Sequence, residues 1–148
     1  MMVNSVYYCL LLSVLSFVSM PICSAQSSIS DEAVRARVSA VKSGRSDIEQ
    51  AAAAEDLFDM LRGKNLDHVH PQTIEMISDL LSNKSDGVRI WIAATLGEFR
   101  ERALFAAPRL VKALKEVECR RVDASSAFTI RTALRKMGEK VPESKCSK

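Results

Sequence analysis

The chain is 148 residues long, enough for one domain, and its 21 basic and 18 acidic side chains give a formal net charge of +3. That balance, with no concentrated basic stripe, argues against a nucleic-acid binder. Five glycines, four prolines, a hydrophobic fraction of 47% and only 5% aromatics point to a mostly regular chain with a core of Ala, Leu, Val and Ile, and to helices before strands.

Residues 1–25 contain no Lys, Arg, Asp or Glu. The apolar run from Val6 to Val18 has the length of a signal-peptide h-region and falls short of the roughly 20 residues that span a bilayer. Pro21 ends the run, and Cys23-Ser24-Ala25 places small residues before an expected cleavage after Ala25. An uncleaved anchor is the alternative. Export would put Cys119 and Cys146 in an oxidising compartment, where a bridge between them would tie down the tail and stabilise the domain by about 3–4 kcal/mol. The expected organisation is a signal segment over 1–25, a helical domain over 26–140 and a polar tail over 141–148.

In chain order, Ser30, Asp31 and Glu32 open a first helix whose Val34, Val38 and Val41 share one face, with Gly44 after its end. A second helix starts at Ser46 or Asp47 and stops at Gly63; Ile48, Ala51, Ala52, Leu57, Phe58 and Leu61 supply its apolar side. After a loop over 64–70, Pro71 starts a third helix with Ile74, Ile77, Leu80 and Leu81 inward. The fourth carries Val88, Trp91, Ile92, Leu96 and Phe99, and Trp91 is expected in the core. Pro108 marks a fifth helix with Leu110, Val111, Leu114 and Val117; the sixth presents Phe128, Ile130, Leu134 and Met137 and ends at Gly138. No segment alternates as a strand does, so the expected class is all-α.

The elements repeat. Leu57, Leu96 and Leu134 occupy like places in helices two, four and six, 39 and 38 residues apart, and Pro71 and Pro108 start helices three and five, 37 residues apart. A recurring helix pair of that period is the signature of a short α-solenoid, in which each pair buries its apolar faces by stacking on the next. Within it, Asp86, Val88, Arg89, Ala93, Ala94, Leu96, Gly97, Ala107, Pro108, Leu110 and Leu114 match the pattern of a bacterial short-loop HEAT repeat, which this stretch resembles. The match weakens on both sides: Ala127 stands where the pattern has Arg89, and Glu49 and Gln50 replace the Val-Arg pair. The resemblance implies a right-handed solenoid of about six helices that serves as a binding scaffold. It also implies that Asp86 and Arg89 bridge neighbouring repeats. It brings no catalytic residues.

The candidate chemistry is sparse. His68 and His70, with Asp67, are the only local group suited to zinc or copper; the alternative is a solvated loop that enters the third helix. There is no phosphate loop, no nucleophile paired with a base, and no small-molecule substrate or cofactor is suggested. The polar faces of helices three and five remain. Glu75 and Asp79 would form an acidic ridge beside a basic one of Arg109, Lys112 and Lys115, suited to a protein partner of mixed charge. Simple solvation of the helix exteriors is the competing explanation. The expectation is an exported, non-enzymatic scaffold, periplasmic or secreted, that binds another protein and has no membrane span once its signal is removed. An immunity or inhibitor protein against a toxin in that compartment, or a structural accessory of the envelope, are the alternatives.

Overall fold

Side-chain caps start the first three helices. The computed structural model describes residues 29–119 and 124–143, and the side chains of all of these except 119, 124 and 125. The Ser30 hydroxyl accepts the Ala33 N–H at 3.2 Å at the head of α1 (Asp31–Ser43). The Ser46 hydroxyl accepts that of Glu49 at the same distance at the head of α2 (Asp47–Leu61), and the Glu49 carboxylate accepts the Arg45 N–H at 2.7 Å. These bonds occupy donors that a helix end leaves open. Gly63 follows α2 at φ +68°, a conformation that favours glycine. Pro71 begins α3 (Pro71–Asp79), which tightens into a 3-10 turn over Leu80–Ser82. Then come α4 (Asp86–Glu98), a 3-10 segment over Arg100–Ala106, α5 (Ala107–Cys119) and α6 (Ala124–Lys136). The chain is all-α, with six α-helices and no strand among the described residues.

α4 lies between α2 and α6. Small residues set the spacing: a Cβ added to Gly87 would stand 3.1 Å from the Ala51 methyl, and one added to Gly97 would stand 3.2 Å from the Ala133 Cα. At the other end of α2, the Gly63 N–H donates to Glu98 (3.2 Å), and Lys136 at the end of α6 reaches the same carboxylate at 2.6 Å. Starts meet starts and ends meet ends, so α2, α4 and α6 run parallel as an outer row. α1 packs on α2 and α3, α3 on α4, and α5 on α6. At the head of α1, Asp31 accepts the His70 N–H at 2.8 Å, and Arg35 donates to Thr73 at 3.0 Å.

The three leucines at like places, Leu57, Leu96 and Leu134, are fully buried, as are Val34, Val38 and Val41. Three residues assigned to apolar stripes lie outside the core: Ala52 is exposed, and so are two larger ones. Ile48 is 82% exposed and Phe128 67%. Helical geometry explains both: at about 100° per residue, Ile48 points opposite Leu57 nine positions on, and Phe128 lies roughly 200° from Ile130. Trp91 packs against the core yet remains half-buried, its ring 5.5 Å from that of Phe58. Pro108 is the second residue of α5, and the stretch before it is 3-10 helix. The polar tail expected from 141 begins with an anchored stretch, since Val141 packs on the core and the Pro142 carbonyl accepts from Arg131 at 3.4 Å. The signal segment and Cys146 lie outside the described residues, as does the side chain of Cys119.

Candidate functional site

Arg89 occupies the first turn and a half of α4 on its inward side and is 4% exposed. A guanidinium so desolvated needs carboxylate partners, because an uncompensated buried charge is strongly unfavourable. It donates to Asp86 of its own helix and to Glu116 of α5 at 3.0 Å, while its Nε has no partner. Arg89 is therefore an ionic link from α4 to α5, with Asp86 holding it in place from one turn back.

The link forms the floor of a cleft of about 440 Å³. On the α3 wall the buried Ser78 hydroxyl donates to the Glu75 carbonyl at 2.8 Å and accepts from Arg109. Arg109, near the start of α5, also donates to Asp79 at 2.7 Å. That ion pair is about half exposed on each side, so its contribution to stability is small, about 0.2–1 kcal/mol. Lys112, one turn along α5, lines the cleft, is exposed and has no ion pair with a described residue.

Of the residues expected to meet a partner, the structure brings Asp79, Arg109 and Lys112 together around one opening. Asp79 and Arg109 face each other across it and are not separate ridges. Glu75 is exposed one turn earlier on α3, and Lys115 is exposed on α5 outside the cleft lining. No pattern in the chain marks Ser78 as the residue that joins the α3 wall to Arg109. Its neighbour Asp79 drew attention through charge, and a buried hydroxyl has no comparable signal.

A second opening, about 640 Å³, lies at the far end of the outer row, between the loop after α2 and the end of α4. Two of the four cations that line it, Arg102 and Lys136, are engaged by described residues. Arg102 donates to the carbonyls of Leu66 and Val69, and Lys136 to Glu98. For Glu98, burial pushes the carboxyl upward, but the bonds from Lys136 and the Gly63 N–H and the charges of Lys136 and Arg100 outweigh it and hold the group below its ordinary value. Asp31 behaves alike: desolvation raises it, while bonds to Thr73, the His70 N–H and Arg35 bring it down.

His68 and His70 are both exposed. His70 Nδ1 accepts the Gln72 N–H at 3.4 Å, which makes it the cap of α3, and no cluster of three His, Cys, Asp or Glu able to hold a metal occurs among the described residues. No helix of the described residues is long and apolar enough to cross a membrane. Neither the family models, nor the curated proteins, nor the solved structures contain a match to the chain.

Proposed function

We propose that this chain is an exported, non-enzymatic scaffold of the HEAT type, a short right-handed solenoid that binds another protein through the cleft between α3 and α5. The observation that carries the reading is the composition of that cleft: a buried, carboxylate-held Arg89 beneath an exposed Lys112 and a weak Asp79–Arg109 pair. The floor is fixed by the fold, and the rim can exchange its internal pair for a partner's charges at little cost. On this reading Arg89 joins the two helices of one repeat through Glu116, with Asp86 holding it in place. Glu75 and Lys115 extend the rim to either side.

A photo-crosslinking residue at Lys112, introduced in the native host, tests the binding surface. One partner protein is expected to crosslink, and reversing Glu75, Asp79, Arg109 and Lys112 is expected to abolish its recovery. Recovery unchanged by those reversals overturns the assignment. Export is tested on the same material, since the accumulated chain is expected to begin at Gln26.

A further inference from the structure

We propose that the outer face of α2, α4 and α6 is a pairing surface for a second copy of this chain. Three observations carry it. The outward positions of α4 before Glu98 are Gly87, Ile90, Trp91 and Ala94, none of them charged. Ile90, Trp91 and Ala94, with Phe58 of α2 and Phe128 of α6, line an apolar groove of about 300 Å³, and Phe128 leaves two thirds of its surface in solvent. An aromatic so placed adds nothing to the core and gives an interface an anchor.

The second observation is the charge on either side of that groove. On the side of α2 opposite its buried Leu57 and Leu61 stand Glu55 and Asp59, with Arg62 just past the helix end 3.7 Å from Asp59, whereas α6 sets Arg135 and Lys136 beside the groove and carries no acid; Arg131 is turned away to Glu118 of α5. The face is thus acidic along one edge, apolar along its middle and basic along the other. Such a pattern is complementary to itself. A two-fold axis parallel to α4, in the plane between two copies, lays each α2 over the other copy's α6. Acid then meets base on both sides and Trp91 approaches its counterpart. An axis at right angles to α4 would set acid on acid. An isologous dimer of the first kind satisfies every edge with one patch.

The third observation is register. Ala51 meets Gly87, and Gly97 meets Ala133, so Phe128 stands nearly level with Phe58 across the groove. In the paired state each Phe128 lands beside the other copy's Phe58, and Arg135 comes within side-chain reach of Asp59. Three helices of about 20 Å, spaced about 9 Å apart, give a face of roughly 500 Å² per copy, at the low end for a specific interface. The dimer is accordingly weak and concentration-dependent, with a Kd on the order of 10 µM.

The test uses sedimentation and the emission of Trp91, the chain's single tryptophan. The purified protein is expected to dimerise with a shift of Trp91 emission to shorter wavelength. Phe128→Glu is expected to weaken pairing at least tenfold, and because Phe128 is exposed, its thermal melt should be unchanged. Glu55→Lys with Asp59→Lys makes both edges basic, and Arg135→Glu moves the other edge toward acid. Each variant alone is expected to stay monomeric, and the two mixed are expected to pair. A protein that remains monomeric well above 10 µM overturns the proposal, as does one whose pairing ignores Phe128→Glu and the charge exchange. So does capture of a foreign protein by this face without self-pairing. Reversals in the α3–α5 cleft leave this dimer intact, so the two proposals fail independently.

Discussion

α4 meets its neighbours in two different ways. Toward α2 and α6 it closes along its length by shape, with Gly87 against Ala51 and Gly97 against Ala133, and only its last residue, Glu98, adds a charged tie. Toward α5 it closes by charge, through Arg89 and Glu116. The two contacts fail under opposite insults. A shape contact tolerates no added volume, because protein interiors are filled to crystal-like density. A desolvated charge tolerates some change in shape but not the loss of a partner. One helix of 13 residues thus ties the outer row to α5 with two kinds of specificity.

The largest effect is expected from added volume. Gly97→Leu would drive a side chain into the Ala133 backbone, which cannot rotate away, and is expected to destabilise by about 3 kcal/mol in urea unfolding. A loss below 1 kcal/mol would mean that α6 can shift outward freely and that shape does not define this contact. On the charged side, Glu116→Ala leaves Arg89 with Asp86 alone. Solvent reaches Glu116, whose side chain is 38% exposed, so the expected loss is smaller, about 2 kcal/mol. Glu116→Gln should recover part of it by restoring an acceptor.

How much of this could be read beforehand differs between the two contacts. Only the local half of the charged one was legible: Asp86 and Arg89 stand three apart on a helix, and residues so spaced are neighbours, but that Glu116 completes the link depends on how α5 sits against α4. Helix starts at Ser30, Ser46 and Pro71, and the fully buried Leu57, Leu96 and Leu134, also follow from spacing and cap chemistry. The outer row was less legible. Ile48 and Phe128 read as core because apolar side chains were grouped by type, although their angular positions set them on the far side. Trp91 reads as core and is half surface, since periodicity cannot tell a stripe buried at its centre from one that emerges at its edge. The pairing of Asp79 with Arg109 depends on how α5 sits against α3, which no local pattern encodes.

The chain passes from the outer row toward α5 at Arg100, which follows the end of α4 at φ +51°. That conformation is costly for a residue with a Cβ and natural for glycine. Arg100→Gly is expected to raise stability by about 1 kcal/mol, read as a rise in Tm. A fall would show that the Arg100 side chain holds this corner by its charge. Glu98, two residues back, is the companion test. Its folded carboxyl lies below its ordinary value, so its contribution is complete above about pH 4.3 and fades as pH falls through the lowered value. Glu98→Gln should therefore flatten the acid limb of the Tm profile while changing the neutral limb by a constant amount. An unchanged acid limb would place the acid sensitivity elsewhere, with Asp31 the next carboxylate to replace.

The smallest expected effect bears most on function. Asp79→Asn removes one charge of a pair that is half exposed at both ends, and stability should change by no more than about 0.5 kcal/mol. The Ser78 hydroxyl still receives Arg109, so the α3–α5 wall keeps a polar tie after the substitution. If the rim serves a partner, the same change should weaken capture through Lys112 far more than it weakens the fold, whereas Glu116→Ala should weaken both together. That separation turns on position alone: Asp79 borders the opening from solvent, and Glu116 holds the buried cation beneath it. A stability loss for Asp79→Asn as large as that for Glu116→Ala would mean that the rim is part of the framework. The α3–α5 cleft would then owe its charges to folding, and the binding surface would have to be sought on the outer row.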